Sequence, residues 1–441
     1  MSLNETLAAG RLHWPGEDGY DAQRLPWQRR FDPRPAAVLD ARDAQDVRAA
    51  LEIAGDNELP VAVQATGHGA VAPADGALLL RTSAMNAVTV DPQRRIARAG
   101  GGAEWADVIA AAAPHGLAPL SGTSAGVGVT GYTLGGGAGL LSRTFGYAAD
   151  SLVSAEVVTA TGERVTAAAD ENADLFWALK GGGGGFGVVI SLEFRLHAVE
   201  SLYGGMAMFD AARAREALEA YRDWAPAEPD ESNLALVVMT MPPLPQVPEP
   251  VRGRRVLLLR TLYVGDAAEG ERLLAPLFAA AGEPILNGLA PLGVGEGLMM
   301  MGPPPPPTVG EVHIELLREL PDEVLDVVVA DAGPGVEVRQ WGGAMARGDG
   351  PIGHRDIPYS VVATALAPDR DGWAAAKASV ERVVARLRPH ATGASFLNFL
   401  GDASRTRDAY TPEDYARLQE VKTAYDPDNA FRLGGHNIPP V

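Results

Sequence analysis

A dense cluster of glycines between Ser121 and Leu140 constrains this chain more than any other stretch. Its sequence is SGTSAGVGVTGYTLGGGAGL, with eight glycines. Glycine loses more backbone entropy on folding than other residues, so such a cluster needs a local reason. One reason is a backbone with positive φ, and another is close approach of a flat or charged ligand to main-chain N–H groups. A flexible linker would not need the apolar residues between these glycines, which are Val127, Val129, Tyr132, Leu134 and Leu140.

The cluster contains the G-x-G-x-x-G pattern of dinucleotide-binding proteins at residues 126–131. In a Rossmann unit this pattern follows a strand, opens a helix and precedes an acidic residue by about 20 positions. That combination does not occur clearly in this sequence. The pattern therefore indicates a ligand-binding glycine loop of a different kind.

Three other stretches complete a recognisable set. Residues 61–70, VAVQATGHGA, read as a strand that runs into Thr-Gly-His-Gly, and residues 175–190, LFWALKGGGGGFGVVI, hold five consecutive glycines. Near the C-terminus, YDPDNAFRL at 425–433 is followed by NIPP at 437–440. In this order the segments resemble the FAD-binding domain of the vanillyl-alcohol oxidase superfamily, and within it the berberine bridge enzyme-like oxidoreductases. The resemblance spans nearly the whole chain.

The resemblance implies an α+β fold with a two-lobed PCMH-type FAD-binding domain and a substrate domain. At 441 residues the chain is too long for one ordinary core. From about residue 205, alternating strand and helix patterns and proline-rich loops replace the glycine-rich texture, which predicts an antiparallel sheet covered by helices. We expect an FAD-binding domain over 1–204, a substrate-binding domain over 205–396, and a C-terminal segment over 397–441 that returns to the FAD-binding domain.

The resemblance places the family's covalent histidine, which bonds the 8α-methyl group of the flavin, on His68. Its position after a strand and between Gly67 and Gly69 favours this role over a histidine that only caps the strand end. Some relatives attach the flavin a second time through cysteine, and Ser124 is the matching position here. Because the chain has no cysteine, a second link of that type is excluded.

Further contacts to FAD are implied in two loops, mostly through main-chain N–H groups, and also in a later strand and near the C-terminus. These residues are Gln64, Ala65, Thr66, Gly67, Gly69, Ala70, Thr123, Ser124, Gly128, Gly131, Tyr132, Gly136, Gly139, Gly187, Val189, Asn398 and Asn437. The glycines at 181–185 are equally compatible with a helix C-cap and a flexible turn.

The catalytic base is where the sequence departs from the family pattern. Many relatives use a tyrosine in a Tyr-x-Asn-Tyr/Phe motif, whereas this chain has Phe-Leu-Asn-Phe at 396–399. Phenylalanine cannot accept a proton, so the role is lost or has moved. Candidates elsewhere are Tyr132, His313, His354 and Tyr359. His354 opens the triplet His-Arg-Asp, which is an acid–base candidate but is more typical of an ion pair at a surface or strand end.

Composition excludes several classes of function. The net charge is −19, whereas nucleic acids and anionic membranes are bound by basic surfaces. No apolar run approaches the roughly 20 residues of a membrane helix, and the N-terminal residues lack a signal-peptide pattern, so we expect a cytoplasmic protein. We also expect no metal site, because no ligand spacing such as H-E-x-x-H occurs.

The resemblance thus implies an FAD-dependent oxidase of a small natural product, with hydride transfer to flavin N5 and reoxidation by O2. The excess of Ala, Gly, Arg and Pro suggests a bacterial genome, and bacterial relatives of this type often act in secondary metabolism. Two alternatives remain open because of the missing tyrosine. One is flavin-dependent oxygenation or oxidative cyclisation, and the other is a flavoprotein that sequesters a drug or intermediate without turnover. Complete loss of flavin is a weaker alternative, since the retained glycines would then only cost stability.

Overall fold

The computed structural model describes residues 11–330 and 333–441. Residues 1–10, which the sequence assigns to the first domain, lie outside this range. The fold is α+β, as the sequence predicts. Two small sheets form from the first part of the chain, and one large antiparallel sheet forms from the middle part.

The first sheet contains the strand that leads to His68. Its longer strands run parallel, and helix Ala44–Asp56 makes one of the crossover connections that parallel strands require. Asp43 caps this helix, because its side chain accepts hydrogen bonds from the N–H groups of Gln45 and Asp46. In spatial order the strands are Leu12–His13, Ala37–Asp40, Leu78–Arg81 and Val61–Gln64.

The second sheet is antiparallel and carries the glycine cluster on its packed side. Helices Trp105–Ala112, Val129–Leu134 and Ala173–Leu179 contribute buried residues to its core. The short helix Val129–Leu134 lies inside the segment that the sequence treats as a loop, where glycines before, within and after it hide its helical spacing. In spatial order the strands are Val88–Asp91, Ile96–Gly100, Val188–Arg195, Leu152–Val158 and Arg164–Ala168.

The large sheet is antiparallel throughout and is covered by helices on one face, as the sequence predicts. The covering helices are Ala214–Trp224, Ala267–Ala281, Asp322–Ala330 and Trp373–Leu387. In spatial order the strands are Leu286–Asn287, Leu202–Asp210, Arg255–Val264, Ser232–Thr240, Gly335–Gln340, Tyr359–Ala367 and Val309–Leu317, and Ala290–Leu292 also pairs with Leu202–Asp210. The expected domain boundary at 204/205 falls inside strand Leu202–Asp210, whose two central glycines obscure its strand pattern.

The C-terminal segment packs against the first part of the chain. Its helix Pro412–Tyr425 ends in a fully buried ion pair, in which Lys422 Nζ lies 2.6 Å from Asp426 Oδ2. The Asp426 carboxylate also accepts a hydrogen bond of 2.7 Å from the Ala430 N–H group. Ala430 in turn accepts one of 2.8 Å from the Val61 N–H group. The segment is therefore bonded to the first residue of the strand that leads to His68.

Short elements fill the remaining connections. They are helices Tyr20–Gln23, Ser142–Phe145 and Val294–Leu298, and the paired strands Leu117–Ala118 and His197–Ala198. Within the described ranges, no helix combines the length and hydropathy needed to cross a bilayer. The same residues contain no group of three or more His, Cys, Asp or Glu side chains that could hold a metal ion.

Candidate active site

A cavity of about 1100 Å³ lies where the two small sheets meet the uncovered face of the large sheet. The strand Val61–Gln64 and the loop after it form one wall, and the glycine cluster forms a second. The large sheet supplies the opposite wall. This volume exceeds the range typical of pockets for drug-sized ligands, so the cavity can hold a large cofactor and a substrate together.

The loop after the first wall's strand depends on its two glycines for different reasons. Gly67 has φ +70°, and a Cβ there would lie only 2.5 Å from the Pro26 Cβ atom. Gly69 has ordinary dihedrals, and a Cβ there would meet nothing within 4 Å. The protein itself therefore requires glycine at 67, whereas at 69 the open space belongs to the cavity.

His68 lies between these glycines and lines the cavity. Its ring stacks on the indole of Trp27, with centroids 3.8 Å apart and planes inclined by 24°. Burial lowers the pKa of His68 to about 4, so the imidazole is neutral near neutral pH. Its Nδ1 atom is buried and has no hydrogen-bond partner among the described residues. The structure thus holds a neutral imidazole with a free ring nitrogen beside the cavity.

Some glycines of the cluster serve the packing of the protein. A Cβ at Gly135 would collide with the amide of Asn398, and one at Gly139 would collide with the Ser121 carbonyl group. Gly136 has φ +109°, and its Cβ would lie 2.9 Å from the Phe396 ring. Gly136 and Gly139, which the sequence assigns to FAD contacts, are not among the described residues that line the cavity. Close packing against neighbouring segments accounts for both of them.

Other predicted FAD-contacting residues line the cavity directly. A Cβ at Gly131 would meet nothing within 4 Å, and one at Gly128 would only touch Ala65 and Thr66 at ordinary distances. The predicted residues that line the cavity are Gln64, Ala65, Thr66, Gly67, His68, Gly69, Ala70, Thr123, Ser124, Gly128, Gly131, Tyr132, Gly187, Val189 and Asn398. Asn437 does not line it, whereas its neighbour His436 does.

Asn398 connects two parts of this wall. Its Oδ1 atom accepts a 2.7 Å hydrogen bond from the Gly137 N–H group, and its Nδ2 atom donates to the Tyr132 carbonyl group at 3.1 Å.

The glycines at 181–185 have two different roles. Gly181 and Gly183 have positive φ at the end of helix Ala173–Leu179, while residues 183–185 line the cavity. The run is therefore both a helix terminus and a cavity wall.

Several buried polar atoms at the cavity have no partner among the described residues. They include Gln64 Nε2, His68 Nδ1, Ser124 Oγ, Tyr132 Oη and His436 Nε2. An unpaired buried polar atom costs about 1–3 kcal/mol, so this many at one cavity indicate a polar ligand that pairs with them. Together with the open glycines at 69 and 131, the donor set fits FAD, whose polar groups can accept and donate along these loops.

His436 is a cavity residue that the sequence reading does not identify. Its Nδ1 atom lies 2.8 Å from Thr406 Oγ1. Burial lowers its pKa to about 4. Its position directly before the NIPP segment could have drawn attention to it. The side chain is neutral near neutral pH and can pair with a cofactor or substrate without adding charge.

Three charged residues on the large sheet were also not predicted from the sequence to be part of the site. Arg260, Glu337 and Arg339 lie on the cavity face of strands Arg255–Val264 and Gly335–Gln340. Arg260 Nη2 lies 2.8 Å from Glu337 Oε2. The signal in the sequence is the alternation of Glu337, Val338 and Arg339, since every second residue of a strand faces the same side.

The catalytic candidates are placed in different environments. Tyr132 lines the cavity, and its unpartnered hydroxyl group is buried there. Burial raises the pKa of Tyr132, although the charge of Arg339 opposes this, so the phenol stays protonated near neutral pH. Tyr132 can therefore donate a hydrogen bond to a reacting molecule.

His354 and Tyr359 are not among the described residues that line the cavity. Tyr359 packs in the core on the helix-covered face of the large sheet, because the alternation of its strand turns Val362 and Thr364 to the cavity instead. Arg355, which follows His354 in the triplet, forms an ion pair with Asp150, with 2.8 Å between Nη2 and Oδ1. The triplet that begins at His354 therefore does not form a cluster at the cavity.

His313 and Phe396 also lie outside the cavity lining. His313 Nε2 lies 2.8 Å from Glu315 Oε1, on the strand face turned away from Val312, which does line the cavity. Phe396 is buried and stacks on Tyr147, with centroids 5.4 Å apart. The family's tyrosine position is thus occupied here by a packed hydrophobic residue.

Two protein-family models match the chain. The first, described as an FAD binding domain, matches residues 35–168. The second, described as berberine and berberine like, matches residues 395–439. The two matches bracket the large sheet and cover both cofactor loops and the C-terminal segment.

Known proteins resemble this chain over its full length. It is 29% identical to (R)-6-hydroxynicotine oxidase of Paenarthrobacter nicotinovorans, over 98% of this chain and 97% of that protein. The crystal structure of 6-hydroxy-D-nicotine oxidase from Arthrobacter nicotinovorans superimposes with a TM-score of 0.83 and 25% identity, over 98% of both chains. Physcomitrella patens BBE-like 1 shares the fold, with a TM-score of 0.86 and 21% identity over 100% of both chains.

The fold, the glycine-lined cavity and these comparisons define an FAD-linked oxidoreductase. More narrowly, its C-terminal segment matches the berberine and berberine-like family model, and its fold is shared with BBE-like proteins.

Proposed function

We propose that this protein is an oxidase that removes a hydride from a small organic substrate and returns the electrons to O2. The observation that carries this proposal is the cavity of about 1100 Å³, in which the glycine loops face the uncovered face of the large sheet. FAD, when bound, supplies the hydride acceptor and its reoxidation by O2. The relatives named (R)-6-hydroxynicotine oxidase and glucooligosaccharide oxidase support the reaction type.

We assign cofactor binding to one wall of the cavity and substrate binding to the opposite wall. The loops at 64–70 and 122–138 hold the cofactor, mainly through main-chain N–H groups and unpartnered side-chain atoms. The face of the large sheet binds the substrate and excludes water. Tyr132 is the proposed catalytic residue, because it lines the cavity and its buried, protonated hydroxyl group has no partner among the described residues, so it can orient a substrate oxygen or nitrogen.

His68 is the proposed site of covalent attachment to the 8α-methyl group of FAD. Support comes from its buried and unpartnered Nδ1 atom, its neutral state and the open space at Gly69. Stacking on Trp27 fixes the ring in one plane. The absence of cysteine excludes a second, cysteinyl link.

The proposed partners are a small-molecule substrate and O2, with neither nucleic acid nor membrane involved. A net charge of −19 supports this, since a polyanion would be repelled. A bacterial, cytoplasmic role in the tailoring of secondary metabolites remains part of the proposal.

The test of covalent attachment is an absorbance spectrum of the purified holoenzyme before and after acid precipitation. Flavin colour that stays with the pellet in the wild type and is released in His68→Ala is expected. His436→Ala is the matched control, because it removes another neutral histidine from the same cavity and should keep the colour in the pellet. Colour extracted from the wild-type pellet would reject the link while leaving FAD binding intact.

The test of the oxidase reaction is O2 consumption with a panel of alcohols, amines and phenols. Anaerobic bleaching of the flavin by a substrate, followed by recovery of the colour on admission of air, is expected. A ligand that perturbs the flavin spectrum but never bleaches it would favour sequestration. Incorporation of oxygen atoms into the product would favour oxygenation.

A further inference from the structure

The cavity face of the large sheet is mostly apolar and carries charge at one place. Among the described residues that line the cavity, the charged side chains are Arg260, Glu337 and Arg339. The positions around them on the same face are Val237, Met239, Leu258, Val362 and Thr364. A charged group enclosed by apolar side chains is costly unless it is paired, so these three residues need a specific explanation.

The register of the strands sets how the three side chains meet. Ala235 pairs with Arg260 on one side and with Arg339 on the other, so a small residue separates the two arginines. Val237, two residues along the same strand, pairs with Glu337. The carboxylate therefore lies one step along the sheet from the two guanidinium groups.

Glu337 pairs closely with only one of the arginines. Its Oε2 atom lies 2.8 Å from Arg260 Nη2, whereas its Oε1 atom lies 3.7 Å from Arg339 Nε, beyond hydrogen-bond distance. Burial alone would raise the pKa of Glu337, but the charges of Arg260 and Arg339 lower it, so the carboxylate is ionised. Two guanidinium groups and one carboxylate leave one positive charge on this wall.

Two of the N–H donors of Arg339 make no hydrogen bond within the described part of the chain. The residue is 4% exposed, and its Nε and Nη2 atoms are buried with no hydrogen-bond partner among the described residues. Its guanidinium lies 5.7 Å from the ring centroid of Trp341, which holds one face of the group. An arginine does not lose its charge in a protein, so the two N–H groups call for acceptors from the cavity.

The geometry points to Arg339 as the binding site for a carboxylate group of the substrate. Adjacent Nε and Nη2 donors match the two oxygens of a carboxylate, which is the bidentate geometry that arginine favours. The ionised Glu337 beside them disfavours a dianion such as phosphate. The surrounding valine, leucine and methionine side chains fit an apolar or aromatic body attached to the carboxylate.

This inference rests on the proposed function, because it calls the bound carboxylate a substrate. Binding measurements alone can test it. The probes are benzoate and benzamide, which have nearly the same shape and differ in charge, titrated into the holoenzyme by calorimetry and by the change in the flavin spectrum. We expect benzoate to bind at least roughly tenfold more tightly than benzamide. Equal affinity for the two probes in the wild type would overturn the inference.

Two variants assign the preference to Arg339. Arg339→Met keeps the length of the side chain and should lose the preference for benzoate, and Arg339→Lys should keep only part of it because lysine lacks the fork. The matched control is Arg94→Met, which removes an exposed arginine far from the cavity and should change nothing. Retention of the full preference in Arg339→Met would also overturn the inference.

The outcome is separable from that of the oxidase proposal. A holoenzyme that prefers benzoate but oxidises no substrate would support the carboxylate site and reject the oxidase reaction. A holoenzyme that oxidises a carboxylic acid and its amide with equal kcat/KM would do the reverse.

Discussion

At the scale of single residues, two kinds of glycine surround the cavity, and they differ in what a methyl group would meet. At Gly135 and Gly139 it would collide with other parts of the protein. At Gly69 and Gly131 it would enter open cavity space. Substitution should therefore damage folding at the first pair and ligand binding at the second pair.

Gly131→Val tests this distinction directly. We expect a folded protein that has lost most of its FAD, because the added methyl groups project toward the cavity and not into the protein. Gly55→Val is the matched control, since Gly55 also lies in a helix with nothing within 4 Å of its Cβ position, but away from the cavity. The measurement is the ratio of flavin to protein absorbance in the purified proteins. Equal FAD content in the two variants would show that the space at Gly131 is not used by the cofactor.

Tyr132→Phe tests the free hydroxyl group. Its ring packs edge-on against Trp105, with centroids 5.5 Å apart, and phenylalanine keeps that contact. We expect kcat to fall by about 10- to 100-fold at unchanged FAD content, because only the hydrogen-bond donor is removed. Tyr359→Phe is the comparison, as the sequence could not separate the two tyrosines, and its kcat should stay within about twofold. A Tyr132→Phe variant with wild-type kcat would remove Tyr132 from the mechanism.

At the scale of elements, the C-terminal helix and the turn after it are bonded to the glycine run at 183–185 and to the strand that leads to His68. Lys422 and Asp426 are fully buried, and Lys422 Nζ also donates to the Gly185 carbonyl group at 2.6 Å. Residues 183–185 line the cavity, and Ala430 bonds to the strand that leads to His68. One buried ion pair thus connects the C-terminal segment to two walls of the site.

Lys422→Met should destabilise the protein strongly. Removing one partner of a buried ion pair leaves an uncompensated charge and costs about 3–5 kcal/mol. The control is Lys377→Met, which breaks another pair with i,i+4 spacing, Lys377 with Glu381 at 3.7 Å, but on the surface. That loss should stay within about 1 kcal/mol. Thermal unfolding midpoints would decide, and similar shifts in the two variants would contradict the role of burial.

The sequence could predict elements whose pattern is regular, and it failed where glycine hides the pattern. Strands such as Arg255–Val264 and Tyr359–Ala367 follow runs of apolar and β-branched residues, so they were predictable. The strand Leu202–Asp210 contains two adjacent glycines, and the helix Val129–Leu134 contains one and is followed directly by three more; both elements were missed.

For the site, short local motifs were enough to predict that His68 and Tyr132 lie beside a ligand. The residues that form each of these two parts of the cavity wall are neighbours in the sequence. The meeting of Arg260 with Glu337 depends on strand register between segments far apart in sequence, and no local pattern contains that information. The same limit explains why His354 and Tyr359 were candidates from sequence although neither lines the cavity.

At the scale of the whole molecule, buried neutral histidines occur in separate parts of the fold. His68 and His436 line the cavity, and His197 lies at the short strand pair beside the second sheet. Burial lowers the pKa of each to about 4. On unfolding, each would regain its ordinary pKa and take up a proton in mildly acidic solution, so acid should destabilise the fold as a whole.

His197 tests this linkage without touching the cavity. Its pKa is 6.5 in the unfolded chain and about 4 in the folded protein, mainly through burial and also through Arg195. Between these values the unfolded state binds one more proton, so the free energy of unfolding falls as the pH falls, by up to about 1.4 kcal/mol per pH unit. His197→Gln can keep the contact of Nε2 with Ser151 Oγ, which is 3.0 Å long, but does not titrate. We therefore expect its thermal midpoint to drop less than that of the wild type between neutral pH and about pH 5. The control is His115→Gln, which removes an exposed histidine and should retain the wild-type pH dependence. An unchanged dependence in His197→Gln would mean that His197 takes up its proton without unfolding.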